Sequence, residues 1–163
     1  MAEKIKTVIL GIGNTLLGDE GVGVHAVKKL DSIQIPGSVL LVDGSTAGFK
    51  LLALFEKHKD ALFIIIDAVR AGDHKKSGDV YLVPLDDFYD IDHLEQELIS
   101  FHQTALIDVL DMFYLTHGTR IKGYFIGINI SVPDKQILDF SMGLSKKVQA
   151  SLDKVTEIVK TLI

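Results

Sequence analysis

The chain contains no cysteine, which excludes disulfides, thiolate zinc sites and cysteine nucleophiles. Any transition-metal site must therefore use histidine and carboxylate ligands. Basic clusters are also lacking, because the net charge is −5 and no run of Lys and Arg occurs. Nucleic acid is therefore not an expected partner. No apolar run approaches the roughly 18 residues that are needed to span a bilayer.

The composition is that of a folded globular protein. The chain has 163 residues, of which 47% are hydrophobic, and its mean hydropathy is +0.29. These values predict a single domain over residues 1–163 with a sizeable core. The first residues lead directly into an apolar strand and leave no room for a signal peptide, so we expect a soluble, cytoplasmic protein without a membrane partner.

A strand, a glycine-rich loop and a helix follow one another in residues 5–30. Residues 8–10 are apolar without alternation, which is typical of a strand that is covered on both faces. Gly11 and Gly13 end this strand, and apolar residues recur at helical spacing from Val22 onward. A helix therefore follows the loop, as in phosphate-binding units of parallel sheets.

The loop fits the dinucleotide fingerprint G-x-G-x-x-G incompletely. Gly11 and Gly13 match, but Leu16 takes the place of the third glycine, where it would crowd the helix against the strand. A nucleotide-binding module remains an alternative. It would use the two glycines for the pyrophosphate and Asp43, after the second strand, for a ribose hydroxyl.

The same loop also has the glycine spacing of a Walker A motif, from Gly13 to Gly18. The next two residues are Asp19 and Glu20, where Lys and Ser or Thr are required. Acceptors and negative charge suit a cation better than a phosphate. The alternative is that both acids only cap the helix and favour its positive end.

The remainder of the chain alternates between strand and helix patterns. Apolar runs predict further strands at residues 39–42, 61–66, 79–84 and 124–130. Helical spacing predicts further helices that end near His58, before Gly118 and near the C-terminus. The acidic residues 86–97 are typical of a solvated loop with at most a short helix.

This order predicts a three-layer α/β/α sandwich with a five-stranded, mixed, mostly parallel sheet. The link of roughly a dozen residues between the third and fourth strands suggests a hairpin-like return and one antiparallel strand. Because the apolar faces of all the helices are needed to cover this sheet, we expect a monomer.

Three acids are predicted to meet at the carboxyl edge of the sheet, where ligands bind in folds of this kind. Glu20 follows the first strand, Asp43 ends the second and Asp67 ends the third. An unpaired carboxylate after the apolar run before Asp67 would be costly to desolvate. Its partner is either backbone N–H groups, a base such as Arg70, or a metal ion.

His102 is the best nitrogen ligand for such an ion. It lies in the first turn of a predicted helix, whose positive end favours the neutral imidazole that a metal requires. The alternative is an ordinary surface histidine. The other histidines lack comparable support, and they are His25, His58, His74, His93 and His117.

The chain resembles the hydrogenase maturation endopeptidases, which trim the large subunit of [NiFe] hydrogenases. The residues that carry the resemblance are, in chain order, Gly11-Ile12-Gly13-Asn14, Asp19-Glu20-Gly21-x-Gly23, Asp43-Gly44-Ser45-Thr46-Ala47-Gly48, Asp67-Ala68, Ser100-x-His102-Gln103 and Asp108-x-Leu110. A second glycine is common in the family where this chain has Ser45.

The resemblance implies an endopeptidase that removes a C-terminal extension from the large-subunit precursor once nickel has been inserted. The family pattern implies that Glu20, Asp67 and His102 form the catalytic, metal-contacting group, with Asp43 and Asn14 as candidates for a supporting role. The nickel would belong to the substrate, so no permanently bound cofactor is expected. A metal-carrying assembly factor without peptidase activity is a further alternative.

The nucleophile of such a peptidase is left open by the sequence. Ser45, Thr46 and Ser100 are better explained as helix caps. A covalent acyl-enzyme is therefore the less favoured route. Whether the metal also activates water is equally open.

Overall fold

The computed structural model describes residues 3–46, 48–71, 75–89, 98–99, 103–131 and 143–163. The strands in these ranges are β1 (Thr7–Ile12), β2 (Val39–Ser45), β3 (Leu62–Ala71), β4 (Val80–Pro84), β5 (Leu98–Ile99) and β6 (Gly123–Asn129). The α-helices are α1 (Val22–Asp31), α2 (Lys50–Lys57), α3 (Gln103–His117) and α4 (Lys146–Leu162). Short 3-10 helices cover Gly18–Gly21 and Leu85–Tyr89. The four predicted helices and five predicted strands are confirmed.

The sheet is mixed and mostly parallel, as predicted. Its strands lie in the order β2-β1-β3-β6-β4, and β4 runs antiparallel to β6 while the other neighbours in this order are parallel. The predicted hairpin-like return from β3 to β4 is wrong, because β6 lies between these two strands. After β3 the chain passes over the position next to β3 and forms β4 one position further out. The later strand β6 then takes the position between them.

A short strand that was not predicted also pairs with β3. Leu98 and Ile99 of β5 lie antiparallel to Ala71 and Arg70 of β3. They pair beyond the part of β3 that pairs with β1. Two residues are too few to produce a period in the sequence, so this strand is recognisable only from its partner.

Helices cover both faces of the sheet and create two apolar layers. One layer packs α2 and α3 against the sheet, and Phe55 lies edge-on to Phe63 and Phe113 with ring centroids 4.9 and 6.4 Å apart. The other layer packs α1 and α4 against the opposite face. The predicted three-layer α/β/α architecture is therefore confirmed. Among the described residues, no helix combines the length and the apolar content that a membrane crossing requires.

Two strands end later than predicted. Asp67 does not end β3, because the strand continues to Ala71 and pairs with β6 as far as Val69 and with β5 beyond it. β2 continues to Ser45, and as an edge strand it is half-buried and not fully buried. An apolar run in the sequence indicates the part of a strand that is buried. A strand can continue into polar residues wherever a neighbouring strand still pairs with it, and the apolar run does not show this.

Gly23 lets the first turn of α1 approach the sheet at the ends of two strands. A Cβ atom at this position would lie 2.2 Å from the carbonyl oxygens of both Ile12 and Ile66. Gly11 faces it, because a Cβ atom there would lie 2.2 Å from the carbonyl oxygen of Gly23. These distances are far below van der Waals contact, so the close approach of helix and sheet requires glycine.

Gly23→Ala should therefore destabilise the fold. Backbone carbonyl groups cannot move aside as a flexible side chain can, so we expect a loss of about 3 kcal/mol in the free energy of unfolding. Urea denaturation followed by circular dichroism would measure it. Gly143→Ala is the matched control, because an added Cβ there meets nothing within 4 Å. A Gly23→Ala variant as stable as this control would contradict the proposed packing.

Asn129 fixes the far ends of β3 and β6. Its side chain is 3% exposed; Oδ1 accepts from the Ala71 N–H at 2.9 Å, and Nδ2 donates to the Lys76 carbonyl at 3.0 Å. Its backbone carbonyl accepts from Gly78 N. One buried amide thus joins the extension of β3 to the turn before β4.

Asn129→Ala should remove both side-chain bonds and leave the half-buried Ala71 N–H and the Lys76 carbonyl without them. We expect the free energy of unfolding to fall by about 1–3 kcal/mol. Thermal and urea unfolding should report the loss. Gln149→Ala removes an exposed amide from α4 and should leave stability nearly unchanged. Equal stability of the two variants would exclude this role of Asn129.

Candidate metal-contacting site

The loop between β1 and α1 is held by its own backbone bonds. Gly13 has φ +143°, and its N–H donates to the Ser45 carbonyl of β2 at 2.9 Å. Asn14 N donates to the Glu20 carbonyl at 3.2 Å, and the Asn14 Oδ1 accepts from Leu16 N at 3.0 Å. Asn14 therefore shapes the loop that carries Glu20.

These bonds leave little for a phosphate to bind. The N–H groups of Gly13, Asn14, Leu16, Leu17 and Glu20 all donate to acceptors within the protein. A phosphate loop instead directs its N–H groups at the ligand. The geometry therefore does not favour the nucleotide-binding alternative.

Asp19 contacts the start of α4 and not α1. Its Oδ1 accepts from the N–H of Ser145 at 2.6 Å, and Ser145 is the N-cap residue of α4. Gly21 is the N-cap residue of α1, and it makes no side-chain capping bond. The interpretation of Asp19 as a cap of α1 is therefore wrong, because the partner lies at the opposite end of the chain.

Asp43 organises the turn that follows it. Its Oδ1 accepts from both the N–H and the hydroxyl of Ser45, at 3.0 and 2.8 Å. Ser45 has φ +43°, a left-handed conformation that glycine adopts most easily. This conformation explains why glycine suits the position. The ladder shifts here, since Gly11 pairs with Asp43 but Ile12 pairs with Ser45.

Ser45 was predicted to cap the following helix, and this prediction is wrong. It belongs to β2, while α2 begins at Lys50 after Phe49, without a side-chain capping bond. The turn residues sit next to the glycine loop because β2 pairs with β1. Asp43 therefore lies beside the loop but is exposed.

Glu20 lies against β3 through an ion pair. Its Oε1 is 3.3 Å from Nη2 of Arg70, and the side chains are 22% and 27% exposed. Glu20 belongs to the 3-10 helix that precedes α1. The loop after β1 is therefore joined to the extension of β3 beyond Asp67.

Asp67 is buried where β1 ends beside β3. It is 1% exposed, and its Oδ1 accepts from the N–H of Ala68 at 2.8 Å. The β1 register reaches Gly11 opposite Ile66, so Asp67 lies level with the last residue of β1. Backbone N–H was one of the predicted partners. Arg70, another predicted partner, pairs with Glu20.

Strand alternation sets the faces of these residues. Asp67 shares its face with Phe63, Ile65 and Val69, which pack beneath α2 and α3. Arg70 is on the opposite face, where α1 packs. Asp67 and Arg70 thus stand on either side of the sheet at the point where β1 leaves it.

His102 lies outside the described residues, as do His74 and His93. Its described neighbours in the chain are Ile99, which pairs with Arg70, and Gln103, where α3 begins. Within the described ranges, no three His, Asp or Glu side chains are grouped closely enough to hold a metal ion. That finding does not extend to the predicted group, which includes His102.

The described histidines, His25, His58 and His117, lie on or at the end of helices. His117 stacks on Phe113 with ring centroids 4.3 Å apart, and its Nε2 is 3.8 Å from Glu56. His58 is the C-cap residue of α2, and His25 lies within α1. None of them stands in the loop that carries Glu20.

Two residues of this region were not predicted in their observed roles. Arg70 was a predicted partner for Asp67, and its contact with Glu20 was not predicted. Asn129 was not singled out, although a lone amide at the end of an apolar strand is a signal of a buried hydrogen-bond hub. Both fix the extension of β3.

Comparison with known proteins agrees with this fold and these motifs. Residues 24–162 match the family model HycI, hydrogenase maturation protease. This range includes Asp67 and His102 and begins after Glu20. The hydrogenase 2 maturation protease of Escherichia coli (strain K12) is 33% identical over 156 residues, which are 95% of this chain and 88% of that protein.

Solved structures give the same result. The hydrogenase maturating endopeptidase HybD from E. coli has a TM-score of 0.75 at 29% identity, over 95% of this chain and 90% of that chain. The [NiFe] hydrogenase maturation protease HybD from Thermococcus kodakarensis has a TM-score of 0.76 at 26% identity, over 97% and 99%. The chain thus belongs to the hydrogenase maturation protease family, a family of endopeptidases.

Proposed function

We propose that this protein removes the C-terminal extension of a [NiFe] hydrogenase large-subunit precursor after nickel has been inserted. The observation that carries the proposal is membership of the hydrogenase maturation protease family over most of the chain. The precursor is the partner, and its nickel is part of the substrate. The enzyme needs no resident cofactor in this scheme.

Glu20, Asp67 and His102 are the residues proposed to contact the nickel. The ion pair with Arg70 supports this for Glu20, because it joins the loop to β3 near Asp67. Burial supports it for Asp67, since a carboxylate in an apolar layer gains from a cation. The pairing of Ile99 with Arg70, three residues before His102 in the chain, supports it for the histidine.

This ligand set explains recognition of a divalent ion but does not select nickel by itself. Two carboxylates and one imidazole suit several divalent metals. Selectivity must therefore come from the precursor that presents the ion. The enzyme then distinguishes nickel-loaded from nickel-free precursor, and cleavage follows the insertion of nickel.

Hydrolysis without an acyl-enzyme fits this chain better than a serine mechanism. The chain has no cysteine. The Ser45 hydroxyl donates its hydrogen to Asp43 within a turn, and this bond shapes the backbone there. Asp43 and Asn14 support the loop in this scheme.

Nickel-loaded precursor should be cleaved and nickel-free precursor should not. His102→Ala and Glu20→Gln should slow cleavage at least about a hundredfold, because changes even to outer partners of a metal typically cost about 10–100-fold. Mass spectrometry of the large subunit's C-terminus measures both. Gln149→Ala serves as the active control. Equal cleavage of nickel-free precursor would refute the recognition scheme, and an uncut precursor would favour an assembly factor.

Asp67 variants should separate activity from stability. Asp67→Asn keeps an acceptor for the Ala68 N–H, so its free energy of unfolding should stay within about 1 kcal/mol of wild type or rise. Asp67→Ala loses that acceptor and should be about 1–3 kcal/mol less stable. Both should lose cleavage, as measured by mass spectrometry beside urea unfolding. A fully active Asp67→Asn enzyme would show that the charge is not needed.

A further inference from the structure

We propose that Arg70 increases the specificity of the site by occupying Glu20 in the free enzyme, so that free divalent ions bind less tightly. This rests on the proposed function, in which Glu20 contacts the nickel of the precursor. The docked precursor supplies the binding energy that displaces the guanidinium, so its nickel reaches Glu20 more readily than a free ion does.

Both partners of this ion pair are held on fixed backbone. Arg70 pairs with Ile99 of β5, and the next residue, Ala71, donates its N–H to Oδ1 of Asn129. On the other side, Glu20 donates its N–H to the Leu17 carbonyl and accepts from Asn14 N through its own carbonyl. The pair therefore loses less conformational freedom on forming than a pair on mobile loops would.

The surroundings strengthen the contact between the two charges. Oε1 of Glu20 is 3.3 Å from Nη2 of Arg70, and about three quarters of each side chain is covered. Solvent screens such a pair less than a fully exposed one. Arginine keeps its charge at every physiological pH, so the positive charge beside Glu20 is permanent.

A permanent cation beside a metal ligand acts against free cations. An incoming divalent ion must either displace the guanidinium or bind next to its positive charge, and both lower its affinity. A nickel ion held by the precursor arrives with a protein interface whose contacts offset this cost. Arg70 thus couples access to Glu20 with recognition of the substrate.

A purely structural ion pair would behave differently. Its removal would lower stability and leave ion affinity unchanged. Arg70→Lys tests the charge, because it keeps a cation but loses the planar fork of donors. Lys160→Gln is the matched control: it removes one positive charge from an exposed pair with Glu157 on α4.

Isothermal titration with Ni²⁺ alone tests the proposal on the purified full chain. Arg70→Gln should bind Ni²⁺ about fivefold more tightly than wild type, as expected for loss of a modest ion-pair competitor. Arg70→Lys should lie between them, and Lys160→Gln should match wild type. The gain should vanish in Arg70→Gln/Glu20→Gln. Thermal unfolding checks that each variant is folded.

Equal affinity of wild type and Arg70→Gln, including no measurable binding in either, overturns the proposal. So does an equal gain in Lys160→Gln. Inhibition of precursor cleavage by added Ni²⁺ gives a second readout, and it should require about fivefold less ion in Arg70→Gln. If wild type cleaves no nickel-loaded precursor, the proposed function fails, while the titration still decides the role of Arg70.

Discussion

The structure depends on the contact between two glycines where α1 meets the sheet. Gly11 in β1 and Gly23 in α1 leave no room for a Cβ atom on either side. Their contact fixes the start of α1 over the ends of β1 and β3, so the intervening loop must fold above the carboxyl edge of the sheet. Gly13 closes that loop on the backbone of Glu20, since a Cβ there would lie 2.1 Å from the Glu20 carbonyl oxygen. Close packing thus determines where the acid stands.

The second condition for the site is that β3 extends further than β1 at the carboxyl edge of the sheet. The pairing of β1 with β3 ends at Gly11 and Ile66. From there β3 continues with β6 and β5 as its neighbours. Asp67 lies in this transition and accepts the N–H of the following residue. Asn129 then secures Ala71. A buried carboxylate and an arginine on a fixed backbone are consequences of one strand being longer than its neighbour.

Local patterns in the sequence were sufficient for the four helices, the five main strands and the layer architecture of the described residues. A helix was predicted to end before Gly118, and α3 does end there, with φ +69° at Gly118. Long-range contacts could not be predicted in this way. Asp19 meets a backbone amide 126 residues away, and no local period encodes such a partner. β5 is too short for a pattern, and the extension of β3 depends on its neighbours. The role of His102 stays a prediction.

The four acids of this edge differ in the kind of partner that they hold. Asp19, Asp43 and Asp67 each accept a hydrogen bond from a backbone N–H. A backbone donor cannot leave without unfolding its segment, so these bonds serve the architecture. Glu20 instead contacts the end of a long, flexible side chain. A guanidinium can rotate away while the strand that carries it stays in place, so the Glu20 carboxylate can change partners at low cost to the fold. An exchangeable carboxylate is what a site needs if it is to meet its metal only during the encounter with substrate.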